Sequence, residues 1–248
     1  MISCFALEGL PEITPGYDLA AGIVSALAGE LRAGDVLVVA HKAVSKSEGR
    51  IRALADVTPG ERALAIARDQ DRDPRHVQVV LDESRSVIRA ERGVLITETR
   101  HGFICANSGV DASNVPGDDA LVLLPLNPDA SARALRARLR ELTGVPPGLV
   151  ITDSFGRAWR SGQCDVAIGC AGVRLAEDLR GEHDSQGREL RATIIAVADE
   201  LAAAADLCRT KAGRQPVVLV RGAERHVTEP DGPGAVALIR APEQDLFR

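Results

Sequence analysis

Apolar positions recur along the chain with two periods. Short, mostly β-branched runs at 2–7, 36–40, 94–96, 120–126, 149–151 and 216–220 predict strands. Residues 165–169 are expected to continue into the sheet, and 235–240 to supply a last short strand. The run Val36-Leu37-Val38-Val39-Ala40 has no polar interruption, so both of its faces should be covered. Helical spacing links Leu19, Ile23, Ala26, Leu27 and Leu31, with Asp18 as cap and Gly34-Asp35 as the stop. Further helices are expected at 59–68, with Thr58 capping and Pro59 first, and at 74–88 along Val77, Val80, Leu81 and Ile88. Asn127-Pro128-Asp129 introduces a helix over 131–142, with Leu135, Leu139 and Leu142 on one face and arginines on the others. An Ala-rich helix is expected over 190–207, with Asp199 and Glu200 on its outer face.

Between these elements, the charged run 69–75 reads as an exposed link without chemistry, and the polar stretch 178–189 as a lid in which His183 is incidental. The stiff connector 143–148 is the best subdomain boundary, 242–248 should fray, and no internal repeat or low-complexity block occurs. The fold class is mixed α/β of the α+β kind: a large mixed β-sheet packed with helices, in a single catalytic unit over 1–248.

Composition narrows the function. With one Trp, one Tyr and four Phe, the core must be aliphatic, and base stacking on aromatic platforms is disfavoured. A formal net charge of −5 also argues against a nucleic-acid partner. Five scattered cysteines with no C-x-x-C pair suggest neither a zinc site nor a disulfide framework, so reduced thiols in a cytoplasmic setting are expected. The start of the chain lacks a basic region followed by an apolar block, and no apolar run approaches the ~20 residues that span a bilayer. No membrane association is expected.

Three stretches carry candidate chemistry. Residues 102–115 place Asp111, Asn107 and Asn114 among small residues, Ala106, Ser108, Gly109, Ala112 and Ser113. Such a loop can close oxygen ligands on a phosphate-bound cation, or it can be a turn whose Asx side chains bond their own backbone. The strand 149–151 delivers Thr152-Asp153-Ser154 at its end, then Arg157 and Arg160. An acid and a hydroxyl at a strand end suit Mg or Mn, and the arginines suit a carboxylate or phosphate. The strand 36–40 runs into His41, Lys42, Ser45, Lys46 and Ser47, either a polyphosphate seat or a solvated surface. It is no Walker loop, because the Gly-x-x-x-x-Gly-Lys spacing is absent.

Taken in order, residues 102–115, 151–160 and Asp165-Val166-Ala167-Ile168-Gly169 resemble the coenzyme F420-0:L-glutamate ligase (F420:γ-glutamyl ligase) family. Glu8-Gly9-Leu10-Pro11, residues 45–50 and residues 196–202 fit the same pattern, which runs to about Arg221-Gly222. The resemblance implies that Leu10, Pro11, Glu12 and Ile13 touch the guanine nucleotide, and that His41, Lys42, Lys46 and Asn114 also contact it. It further implies that Cys208, Arg209, Thr210, Lys211, Ala212, Gly213, Arg214 and Gln215 wrap the nucleotide. Asp111 and Asp153 would hold a first divalent ion, and Ser154 with Thr210 a second. Thr210 stands where the family has an acidic or amide side chain, a weaker ligand here. Asp111, Asp153 and Lys46 are thereby the candidate catalytic residues, with Arg157 and Arg160 assigned to anionic substrate by their place alone.

The implied reaction is GTP-dependent addition of one or more L-glutamates, γ-linked, to the precursor F420-0 through an acyl phosphate, releasing GDP and phosphate. The resemblance also implies two Mg or Mn ions, potassium, an intertwined homodimer with each site at a shared groove, and no C-terminal reductase domain. Two rival readings use the same residues: a metal-dependent phosphohydrolase, and a nucleotide-binding protein that turns nothing over.

Overall fold

The structure is a computed structural model that describes residues 1–113, 119–210 and 213–246. In chain order the first part holds β1 (Ser3–Ala6), α1 (Leu19–Ala26), β2 (Val36–Ala40), α2 (His41–Ser47) and β3 (Ile51–Ala53). Next come α3 (Glu61–Gln70), α4 (Pro74–Asp82), β4 (Ser84–Glu91), β5 (Val94–Thr99), β6 (Ile104–Ala106) and β7 (Ala120–Val122). The last part holds α5 (Pro128–Thr143), β8 (Gly148–Arg157), β9 (Arg160–Ala171), β10 (Glu177–Asp178), β11 (Ile194–Ile195), α6 (Val197–Asp206) and β12 (Val217–Arg221).

The main sheet has the order β1-β12-β2-β8-β9, antiparallel except for the parallel pair β2·β8. Helices cover both of its faces. Leu37, Val39, Leu149 and Ile151 pack with α1 and α5, whereas Val36, Val38, Val150 and Val218 pack with α6. Alternate residues of one apolar run therefore reach two cores, as expected of a strand buried on both sides. A smaller module spans 54–123, where α3 and α4 lie on the sheet β4-β5-β6 around Val77, Val80, Leu95 and Leu121. The mixed α/β architecture agrees with the sequence reading. Among the described residues, no helix is long and apolar enough to cross a membrane.

Several expected boundaries move, each for a local reason. The helix from Asp18 stops at Ala26 because the chain extends at Leu27 toward Ala28-Gly29, although Leu31 is still buried. Residues 41–47, read only as a cluster of cations and hydroxyls, wind into α2. The third helix begins at Glu61 with Gly60 as its N-cap, so neither Thr58 nor Pro59 starts it. The span expected as one helix over 74–88 divides: α4 ends at Asp82, where the Ser84 hydroxyl bonds the Val80 carbonyl, and β4 then pairs with β5. Arg92 and Gly93, both at positive φ (54° and 76°), turn that hairpin.

The strand expected over 120–126 ends at Val122. The helix α5 starts three residues earlier than expected, with the Asn127 side chain accepting from the Ala130 amide at 3.0 Å and Pro128 in the first turn. It stops at Gly144, whose φ of 77° only glycine adopts without cost. The long helix expected over 190–207 begins only at Val197, because β-branched Ile194-Ile195 pair with β10 and tie down the polar stretch before them. Asp199 faces the sheet, accepting from the Ala167 amide at 2.9 Å, and is not on the outer face. Residues 235–238 form a short 3-10 turn, not a strand, because buried Asp129 accepts the amides of Ala235 and Val236. The connector 143–148 joins α5 to β8, which share one core.

Candidate active site

The site lies where β2 gives way to α2. The parallel register pairs Ala40 with Thr152, so the start of α2 stands beside the polar half of β8. His41 is 2% exposed and its Nε2 lies 3.3 Å from Asp153 Oδ1, without a directed hydrogen bond. The next residue, Lys42, places Nζ 2.5 Å from Asp111 Oδ2 and 2.6 Å from the Ser113 hydroxyl. Consecutive side chains thus meet the two aspartates, one each. One turn on, Lys46 is buried yet reaches Glu12 of the loop after β1 at 2.5 Å.

The Asp111 loop is held by its own backbone. Asn107, Ser108 and Gly109 take positive φ in succession (54°, 53° and 69°), an unfavourable conformation for the first two. The Ser108 amide donates to Thr97 Oγ1 at 2.9 Å, and its hydroxyl meets Thr97 and Ser84 hydroxyls, each at 2.7 Å. Asp111 then pairs with Val122 as an isolated bridge and accepts the Ser113 amide at 2.6 Å. Burial pushes the Asp111 carboxyl up, but hydrogen bonds from Lys42 and Ser113 more than offset this and hold it below the usual carboxylate range.

Strand β8 does not stop at Ile151, as the sequence suggested, but continues to Arg157 in a long hairpin with β9. Successive residues therefore point to opposite faces. Asp153 faces His41, whereas Thr152 and Ser154 face Asp165 of β9, which is 4% exposed. Thr152 and Ser154 hydroxyls donate to the two Asp165 oxygens at 2.7 and 2.6 Å. Arg209 Nη2 donates to Asp165 at 2.6 Å and to Thr152 at 3.2 Å, joining the segment after α6 to the hairpin. A Ser154 hydroxyl that gives its proton to Asp165 keeps its oxygen lone pairs for another ligand.

Asp165 and Arg209 form a buried pair that the sequence reading did not assign. Apart from the resemblance of 165–169, the signal for Asp165 was an acid set among small and apolar residues in Cys164-Asp165-Val166-Ala167, where a strand interior normally excludes charge.

The other expected residues are placed as follows. Leu10 is half-buried, Pro11 and Glu12 are exposed, and the Ile13 side chain is buried in the core, leaving only its backbone for a ligand. Cys208 is half-buried, and Thr210 is exposed beyond Arg209, with its carbonyl accepting the Gly213 amide at 2.9 Å. Arg214 is exposed at a φ of 50°, and Gln215 donates to Glu8 at 3.3 Å. Asn114, Lys211 and Ala212 lie outside the described residues. Arg157 and Arg160 are not brought to the aspartates: they sit at the exposed hairpin tip, where Arg157 bonds the Ser161 carbonyl at 2.8 Å.

The donors facing the start of α2 are carboxylate and hydroxyl oxygens, which suit a hard divalent cation. Among the described residues no three His, Cys, Asp or Glu side chains group as a metal centre. Mg is commonly held by one or two carboxylates together with substrate phosphates, so Asp111 and Asp153 fit an ion that arrives with a nucleotide.

Residues 9–222 match the family model described as F420-0:Gamma-glutamyl ligase. The coenzyme F420:L-glutamate ligase of Methanopyrus kandleri is 46% identical over 239 residues, covering 96% of this chain and 94% of that protein. Those of Haloarcula marismortui and Methanothermobacter thermautotrophicus are each 44% identical, covering 98% and 100% of this chain and 95% and 99% of theirs. With the family model matched over most of its length and relatives of this identity aligned nearly end to end, the chain belongs to the F420-0:gamma-glutamyl ligase family.

Proposed function

We propose that this protein joins L-glutamate to the coenzyme F420 precursor F420-0 at the expense of GTP. The observation that carries the reading is the meeting of His41 and Lys42 with Asp153 and Asp111, in a chain whose relatives are named for this ligation. A carboxylate and an amine do not condense in water, so the acid must first be activated. A precursor carboxylate oxygen attacks the γ-phosphorus, the bond to the β-phosphate oxygen breaks, and GDP leaves. The glutamate amine then attacks the acyl carbon, phosphate departs with that carboxylate oxygen, and the amine proton passes to solvent.

The residues have distinct tasks. Lys46 and Lys42 offer positive charge to the phosphates, with Lys42 leaving Asp111 as the nucleotide arrives. Asp111 and Asp153 would hold one Mg or Mn, and Ser154 with exposed Thr210 a second. Such ions would neutralise charge developing on the transferred phosphoryl group. Asp165 positions Ser154 and Arg209 and touches no reacting atom. Asn114, Lys211, Arg214 and the rest of 208–215 are proposed to enclose the nucleotide. Arg157 and Arg160 reach a site only through a second copy, so their role is tied to a homodimer. Static light scattering that finds a monomer at active concentration would remove both arginines from the mechanism.

The test is to incubate the protein with F420-0, GTP, Mn and glutamate and read product mass. A gain of one glutamyl unit, dependent on all four, supports the ligase. Phosphate release that ignores glutamate would favour the phosphohydrolase, and GTP binding without any product the nucleotide sensor.

A further inference from the structure

Beside the Asp111 loop lies a half-buried cation that no described carboxylate pairs with. Arg72, in the link between α3 and α4, is half-buried and donates from Nη2 to Asn107 Oδ1 at 3.0 Å. No carboxylate among the described residues pairs with it, although nearby Arg75 is paired with Asp73 at 2.7 Å. In the first turn of α4, His76 Nε2 is buried without a hydrogen-bond partner. Burial alone pulls the Arg72 guanidinium below its ordinary value, and burial followed by the Arg72 charge pulls His76 down. The Arg72 charge thus disfavours a charged His76, while Asp73 and Asp111 act on His76 in the opposite sense.

A guanidinium taken partly out of water without an acid is costly, and a bound anion removes that cost. The side chain that holds it is itself constrained: Asn107 sits in left-handed backbone locked by the Ser108 hydrogen bonds. With its oxygen committed to Arg72, the Asn107 amide still carries two N–H donors. Asp111, two residues beyond Gly109, links this cluster to the proposed metal and nucleotide seat.

We propose that Arg72, with Asn107 and His76, seats an oxyanion, a carboxylate or phosphate, of one of the two acid substrates, the precursor or glutamate. The assignment deepens the ligase reading and rests on it for the identity of the substrate, but the anion seat can be tested without turnover.

In the full chain, Arg72→Gln should raise the KM for precursor or for glutamate by roughly tenfold or more while the KM for GTP changes less than about twofold. Whichever KM moves names the source of the anion. Arg72→Lys, which keeps the charge but loses the fork, should recover part of the loss. The melting temperature of Arg72→Gln without ligand should not fall, because an unneutralised cation has been removed; a structural role would lower it. All three KM values unchanged, or a GTP KM raised as much as the others, would overturn the proposal. Independently, added inorganic phosphate or L-glutamate should raise the melting temperature of the wild-type protein more than that of Arg72→Gln. Equal responses would end the proposal even if ligation proceeds. A wild-type protein that makes no glutamyl product but shows this difference would retire the ligase reading and keep the seat.

Discussion

At the scale of single residues, some charges of the site are neutralised within the protein and others are left for the proposed ligands. Asp165 belongs to the first class: one polar atom from each of three residues converges on its carboxylate, and Arg209 also bonds Thr152 beside it. Asp165→Asn leaves the Arg209 guanidinium buried without an acid, a change that typically costs about 3–5 kcal/mol. Urea unfolding should show a loss of that order, together with a raised KM for GTP as the segment after α6 loosens. In the proposed mechanism Asp111 belongs to the second class, and here it is paired with Lys42. Burial raises its carboxyl, and the bonds from Lys42 and Ser113 outweigh burial, so the native value lies below the unfolded one. Its stabilising contribution is therefore present above the unfolded carboxylate value and is lost as pH falls through the native value. Lys42→Met should shift acid unfolding to higher pH. An unchanged acid limb would show that the ion pair contributes nothing in water.

At the scale of elements, close packing fixes where the site residues stand. A Cβ at Gly169 of β9 would lie 2.5 Å from the Pro128 carbonyl oxygen at the start of α5, and backbone offers no rotamer to yield. Gly169→Ala should lower stability by about 1–3 kcal/mol in denaturant titration, as overpacking does. Elements with one strong signal were legible in the sequence: the uninterrupted apolar run of β2, and α5 with its Asn127-Pro128 start and Gly144 stop. Elements whose type depends on a distant partner were not. Residues 84–91 satisfy a helical spacing through Ile88, and only the antiparallel β5 makes them a strand. Residues 190–195 likewise read as helix, and only the pairing of Ile194-Ile195 with β10 makes that end a strand. The site divided in the same way. Asp111, Asp153 and Lys42 were visible as acids and cations at predicted strand ends. The Asp165–Arg209 pair and the half-buried cation Arg72 were hidden, because each is defined by what lies across space and not by its neighbours in the chain.

At the scale of the whole molecule, two bodies of structure meet at one helix start. The main sheet supplies Asp153 and α2, and the 54–123 module, continuous with the Asp111 loop, supplies the other carboxylate. Neither half holds a complete set of ligands, so a phosphate-bearing nucleotide with its cation is what would join them, and its binding should stabilise the native state by mass action. The most direct measurement is a titration of Mn, followed by its electron paramagnetic resonance signal, in the presence of a non-hydrolysable GTP analogue. It should be carried out on the wild-type protein, Asp111→Asn and Asp153→Asn. The account predicts that each variant alone weakens Mn binding by roughly tenfold or more while the far-ultraviolet circular dichroism is unchanged. Wild-type Mn affinity in either variant would contradict a cation shared between the two aspartates.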